Sequence, residues 1–371
     1  MRINHASVRR IAVLGIVLVF LLTACIAAPT TPFPTAPPTP AAATLPATRT
    51  PSPSSTPGAA PTPTATATST PQPTPTFHPL MVEGMRQRDY PGSEITVEKQ
   101  LDAGSNYTRQ IVSYRSEGLK IYALLTIPNG KQPASGWPVI IFNHGYIPPK
   151  DYRTTERYIA YVDAIARSGY IVFKSDYRGH GSSEGQARGG YSVPDYTVDV
   201  LNGLASVKRL PFADPQRIGM WGHSMGGHIT LRSMVTTKDV KVGVIWGGVV
   251  APYADLLYNW HATPPATLSS GATGWRGGFS AQFGTPEENP AFWAAISPST
   301  FLKDLSGPLQ LNHAAADEEV PVAFSQNLYA QAQQEGLNVE LFIYPGDNHN
   351  ISTNFSLAMQ RSIAFFDRYL K

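Results

Sequence analysis

Cysteine is almost missing from this chain of 371 residues: Cys25 is the only one. That excludes a disulfide framework and any multi-cysteine zinc or iron–sulfur site. Charged residues are also scarce, at 15%, and unevenly spread. Residues 1–80 hold no acidic side chain and only four basic ones, Arg2, Arg9, Arg10 and Arg49. The 291 residues that follow carry 25 basic and 26 acidic side chains, close to neutrality. No basic face for nucleic acid is supported by that balance, so nucleic acid is not an expected partner. No two histidines have the helical spacing of metal ligands, and neither a metal nor a cofactor is expected.

The first eighty residues read as export and tether. After the three N-terminal arginines comes Ile11–Leu22 (IAVLGIVLVFLL), an uninterrupted apolar run of twelve residues. A basic start followed by a short apolar stretch is the pattern of a secretory signal peptide. Leu22-Thr23-Ala24-Cys25 follows it and resembles the bacterial lipobox: an aliphatic residue, two small ones, then a cysteine that receives a lipid before cleavage. That resemblance implies a signal peptide over 1–24 and a mature chain held by lipidated Cys25 on the outer side of a bacterial membrane. An uncleaved membrane anchor and a cleaved signal with an incidental cysteine are the alternatives. Ile11–Ala28 has only 18 residues, at the lower edge of what crosses a bilayer. Residues 26–80 hold 16 prolines and 15 threonines in irregular alternation with Ala and Ser. Such a segment cannot bury enough apolar surface to offset its ordering entropy, so 25–80 is expected to be an extended linker.

From Met81 onward short apolar runs alternate with helical periodicity. Strands are expected at Glu94–Leu101, Tyr107–Tyr114, Leu119–Ile127, Val139–Phe142, Tyr170–Lys174, Arg217–Trp221, Val242–Trp246, Leu309–His313 and Val339–Tyr344. Helices are expected at Arg157–Ala166, Asp195–Lys208, Met225–Val235 and Phe355–Tyr369. This alternation implies an α/β domain over 81–371: a mostly parallel sheet covered on both faces, entered through antiparallel strands. In such sheets reactive groups gather on loops beyond the carboxyl ends of the strands.

One such loop holds Gly222-His223-Ser224-Met225-Gly226-Gly227, between a strand and a helix. Alone, GxSxG would arise by chance in about one chain in ten of this length. The strand–turn–helix setting and the extra Gly227 make it a nucleophile elbow, with Ser224 exposed at a sharp turn. A serine hydroxyl needs a base to take its proton. His349, in Pro345-Gly346-Asp347-Asn348-His349 after the last strand, fits that role. Asp317, after strand Leu309–His313, fits the acid that orients it, with Asp347, Glu318 and Glu319 as rival acids. The order Ser224, Asp317, His349 is that of α/β-hydrolases. A tetrahedral intermediate also needs two backbone N–H donors. Met225, directly after the serine, and Tyr146, in Asn143-His144-Gly145-Tyr146, are the candidates.

With Asp176-Tyr177-Arg178-Gly179-His180-Gly181-Ser182-Ser183 and Asp317…Val320-Pro321 added, the region from about 110 to 371 resembles the catalytic domain of prolyl oligopeptidase-type serine peptidases. The resemblance implies an α/β-hydrolase fold and Arg178 in a loop-holding role. It lacks the β-propeller usual in those peptidases, has Met225 where many carry tyrosine, and shows no glutamate pair to anchor a free amine. Residues 251–300 follow neither strand nor helix rhythm, and are rich in aromatics including Trp260, Trp275, Phe279, Phe283, Phe292 and Trp293. They are expected to form a cap over the site, with most of these aromatics as the cap's own core. The expected activity is hydrolysis of a small ester or peptide through an acyl-enzyme. A carboxylesterase without peptidase activity, and a non-catalytic lipid-anchored binding module, are the alternatives.

Overall fold

Three antiparallel strands lead the chain into its sheet: β1 (Thr96–Leu101), β2 (Tyr107–Ser116) and β3 (Leu119–Pro128). β1 is exposed along nearly its whole length, and Glu98 and Lys99 place charge on that edge. Charge there disfavours pairing with another chain. The computed structural model describes residues 77–260 and 271–371, with the side chains of 271–274 left out. The export segment, Cys25 and the linker up to residue 76 lie outside the described residues.

β4 (Trp137–Asn143), β5 (Ile171–Ser175), β6 (Ala213–His223), β7 (Val242–Trp246), β8 (Leu309–Ala314) and β9 (Val339–Tyr344) are parallel to one another. The described residues thus form a nine-stranded sheet in the order β1-β2-β3-β5-β4-β6-β7-β8-β9, with β3 antiparallel to β5. Order reversal between β5 and β6 puts β4 and β6 side by side, with Asn143 opposite Gly222.

The central strands are buried on both faces, and the pleat sorts their side chains. Val139 and Ile141 join a core with α3 (Asp195–Val207), α4 (Met225–Thr236) and α8 (Val322–Gln334). Ile140 and Phe142 join the opposite core, against α2 (Ile159–Arg167) and α9 (Phe355–Leu370). Before the sheet, a short helix α1 (Val82–Arg86) packs beside α4. Leu80 just ahead of it is fully buried, and Arg232 donates to its carbonyl at 2.7 Å. The packed domain therefore begins before residue 81, slightly earlier than the composition change implies.

The region 251–300 departs from expectation. It is helical over α5 (Tyr253–Tyr258), α6 (Gly271–Phe283) and α7 (Pro290–Ile296), followed by a 3-10 turn at Pro298–Asp304. Glycines at 271, 274, 277 and 278 hide α6 from a propensity reading. Trp275 and Phe279, one helical turn apart, are buried, Trp275 against Tyr191 and Tyr253 and Phe279 against Trp293, so packing supports it. α7 carries proline at its first turn, and the Asn289 side chain accepts from Phe292 N. Helix α8 is also additional: Phe324, Leu328 and Ala332 give it a narrow buried stripe in an otherwise polar segment.

Candidate active site

Ser224 stands between the last residue of β6 and the first of α4. Its backbone sits at φ 55° and ψ −119°, unfavourable for any residue with a side chain. Three bonds hold it there: its N–H donates to Trp246 O (3.0 Å), and its carbonyl accepts from Gly227 N (2.9 Å) and Val249 N (3.2 Å). The turn is too tight for side chains around it. A Cβ on Gly226 would lie 1.9 Å from the Asn143 carbonyl oxygen, and one on Gly222 would lie 2.3 Å from Gly226 O. Glycine spacing in the motif is therefore set by the approach of α4 to β4.

Asp317 and His349 come from the loops after β8 and β9. The Asp317 carboxylate is fully buried and takes His349 Nδ1 at 2.8 and 3.0 Å. It also accepts from the backbone N–H groups of Glu319 and Val320, both at 2.9 Å, while His313 Nε2 is shared between Oδ2 and the Val320 carbonyl, 3.0 Å from each. Burial alone would raise its pKa; the hydrogen bonds from His313 and His349 outweigh that and hold it well below the carboxylate range. For His349 burial favours the neutral ring, but the Asp317 bond and charge, with Glu319 and Glu318 behind it, leave the pKa above the ordinary imidazole value. The other ring nitrogen, His349 Nε2, is buried and has no hydrogen-bond partner among the described residues. Gly247, at φ 51° directly after Trp246, lines the pair: a Cβ there would sit 3.1 Å from His349 Nδ1 and 3.2 Å from Asp317 Oδ2.

The rival acids have other work. Asp347 accepts from Asn348 N, Thr353 N and both the backbone and side-chain nitrogens of Asn354, organising the turn into α9. Glu318 accepts from His349 N at 3.2 Å. The Glu319 carboxylate lies 3.6 Å from His349 Nε2 and is about half exposed. His313 is fixed beside Asp317 at both ring nitrogens: Ser325 Oγ lies 2.7 Å from its Nδ1 and the Val320 carbonyl 3.0 Å from its Nε2.

On the other side of the serine, the loop after β4 offers few free groups. His144 Nδ1 lies 2.7 Å from the Gly145 carbonyl, which can only accept. His144 itself is buried between the rings of Tyr152 and Tyr177. In a trans peptide the C=O and the next N–H point opposite ways. Pinning Gly145 O inward therefore turns the Tyr146 N–H away from His144, and it has no acceptor among the described residues. Gly145 lies against the nucleophile, since a Cβ on it would come within 3.1 Å of Ser224 Cβ. Met225 N–H, at the first position of α4, likewise has no intrahelical partner. Ser224, Asp317, His349, Tyr146 and Met225 are thus gathered at the carboxyl ends of β4, β6, β8 and β9.

Arg178 stands apart from this group. Its guanidinium pairs with Asp199 at 2.7 Å and Glu117 at 2.9 Å, joining the loop after β5 to α3 and the β2–β3 turn. Of the cap aromatics, Trp275, Phe279, Phe292 and Trp293 are buried in the core. Trp260 is the one that reaches the acid loop, with its indole N–H donating to Glu319 O at 2.8 Å. Residues 261–270 of the cap lie outside the described residues.

A strained serine on an elbow within this sheet defines an α/β-hydrolase, and a serine hydrolase among those. Residues 157–371, more than half of the chain, match the model of the prolyl oligopeptidase family, and the chain belongs to that family. It is 25% identical over 256 residues to an uncharacterized peptidase, YuxL, of Bacillus subtilis (strain 168), covering 65% of this chain and 35% of that protein. Human dipeptidyl peptidase 8 is 26% identical over 258 residues, with 65% and 26% covered. The chain thus spans only about a quarter to a third of the length of these relatives. Among solved structures, an acylaminoacyl peptidase of Pyrococcus horikoshii superposes with a TM-score of 0.58 at 24% identity, covering 72% of this chain and 42% of that one. An acetyl xylan esterase from Paenibacillus sp. R4 gives 0.60 at 16% identity, over 78% and 92%. These two share the fold.

Proposed function

We propose that Ser224, His349 and Asp317 form a catalytic triad that hydrolyses a small peptide or ester through an acyl-enzyme. One observation carries the reading: His349 is bonded at Nδ1 to a buried carboxylate while its Nε2 remains unpartnered, at the same carboxyl edge of the sheet as the elbow serine. Ser224 Oγ attacks the scissile carbonyl as His349 Nε2 takes its proton, and Asp317 stabilises the imidazolium. The N–H groups of Met225 and Tyr146 receive the oxyanion. His349 then gives its proton to the departing amine or alcohol. Water repeats the sequence on the acyl-enzyme, releasing the acid and restoring Ser224.

The relatives named as dipeptidyl peptidases make short peptides the first substrates to try. The test is a matched ester and anilide with the same acyl group, with Ser224→Ala as blank. Turnover and fluorophosphonate labelling should both vanish in Ser224→Ala. Ester turnover without anilide turnover would make the protein an esterase. A folded wild type that neither labels nor turns over would make it a binding module.

The sequence around Cys25 supports a place for this activity outside the bacterial membrane, on a lipid anchor with 25–80 as tether. A fatty-acid label retained by wild type and lost in Cys25→Ser, with release from the membrane fraction, is the expected result.

A further inference from the structure

Tyr158 occupies the N-terminal edge of α2 at φ 52° and ψ 20°, directly after Arg157 at φ 56°. Two successive side-chain-bearing residues in the left-handed region are unfavourable and must be held by what surrounds them. The phenol ring is packed edge-on against Phe142, Tyr161, Trp221 and His223. Its oxygen lies 3.0 Å from Gly145 N and 2.7 Å from His223 Nδ1. The other nitrogen of His223 lies 3.1 Å from the carbonyl oxygen of His349.

The protons on this chain can be assigned. A carbonyl only accepts, so His223 Nε2 carries the hydrogen that His349 O receives. Burial, and then the neighbouring His349, push the His223 pKa down to about 3, so the ring is neutral and Nδ1 is an acceptor. Tyr158 O–H therefore donates to Nδ1, which leaves its oxygen to accept the Gly145 N–H. One directed chain runs Gly145 N–H to Tyr158 O–H to His223 Nδ1, and from His223 Nε2–H to the carbonyl of His349.

The two ends of that chain are the loops on which the chemistry depends. Gly145 precedes Tyr146, whose N–H is the candidate oxyanion donor, and His349 carries the base. The middle of the chain, His223, is the residue before the nucleophile. We propose that Tyr158, acting through His223, is a positioning residue that fixes the separation of the oxyanion loop and the histidine loop around Ser224. This rests on the serine-hydrolase reading above.

Tyr158→Phe tests it in the full-length protein, because it keeps the ring packing and removes only the hydroxyl. The expected result is a fall in kcat of about 10- to 100-fold, below the loss seen when an oxyanion donor is deleted outright. KM should stay within about two-fold. Affinity for an aryl boronic acid, which forms a tetrahedral adduct on the serine, should fall by the same factor as kcat. His223→Leu should behave alike, and the double variant should lose no more than about two-fold beyond the worse single one, since either change breaks the same chain.

Unchanged kcat and boronate affinity in folded Tyr158→Phe would overturn the proposal, and so would losses that multiply in the double variant. A lowered thermal midpoint with kcat of the folded enzyme unchanged would assign the chain a merely structural role and overturn it as well. If Tyr158→Phe does not fold, His223→Leu carries the same two readouts. A wild type inert to fluorophosphonate and boronate would overturn the hydrolase reading and this one with it. A reactive wild type with an unaffected Tyr158→Phe would overturn this one alone.

Discussion

Asp317→Asn changes one atom of a carboxylate whose two oxygens face only donors. Oδ1 receives Glu319 N and Val320 N, and Oδ2 faces His313 Nε2, which also bonds to the Val320 carbonyl, and, most closely, His349 Nδ1. An amide has one oxygen and one NH2. Leaving the oxygen on the two backbone N–H groups turns the NH2 toward His313 and His349. His349 can then answer only by moving its proton from Nδ1 to Nε2, and an Nε2–H cannot take the serine proton. The alternative rotamer sets the NH2 against two backbone donors, leaving buried groups unpaired. Each such orphaned group costs about 1–3 kcal/mol, so the first arrangement is expected. The loss of kcat should approach the roughly 10⁴-fold seen when a triad acid is made an amide elsewhere, with the thermal midpoint only modestly lowered. Steady-state hydrolysis of an activated ester beside a thermal melt gives both numbers. Retention of kcat within ten-fold in a folded Asp317→Asn protein would refute this account of how His349 is held.

Further outcomes follow from the same geometry. On the proposed mechanism His349 must be neutral to act as a base, and its pKa is raised, so activity should rise with pH through an apparent value above the ordinary imidazole range. Glu319→Gln removes one of the raising charges, so a pH profile of kcat/KM should move to lower pH; an upward move would contradict it. Asp317 has a lowered pKa, so its contribution to stability is present above the ordinary carboxylate value and is lost as pH falls through the folded one. Wild type should therefore lose more stability than Asp317→Asn on acidification in denaturant titrations. Gly226→Ala forces a methyl onto the Asn143 carbonyl, and should cost at least about 1–3 kcal/mol, read from the same titrations. Arg178→Met strands buried Asp199 without its partner, which should cost about 3–5 kcal/mol while the folded fraction keeps its kcat.

Much of this protein was determined by local sequence. Short apolar runs and helical stripes give the order of strands and helices because burial on both faces of a sheet, or on one face of a helix, demands those patterns. Gly222, Ser224 and Gly226 announce the elbow by their spacing, although only part of the crowding is local: a Cβ on Gly222 meets Gly226, four residues on, whereas one on Gly226 meets the Asn143 carbonyl at the end of β4. What sequence left open was decided at long range. Asp317 is separated from Asp347, Glu318 and Glu319 only by which carboxylate the sheet brings to His349 Nδ1. Helix α6 exists although its glycines argue against it, because Trp275 buries against Tyr191 and Tyr253 and Phe279 against Trp293. His223, unremarkable as the variable residue of its motif, gains a partner on each ring nitrogen only when the loops bearing Tyr158 and His349 converge on it. Hydrogen bonds between residues 65 and 126 positions apart leave no periodic trace in a chain, since nothing in the intervening sequence has to repeat for them to form.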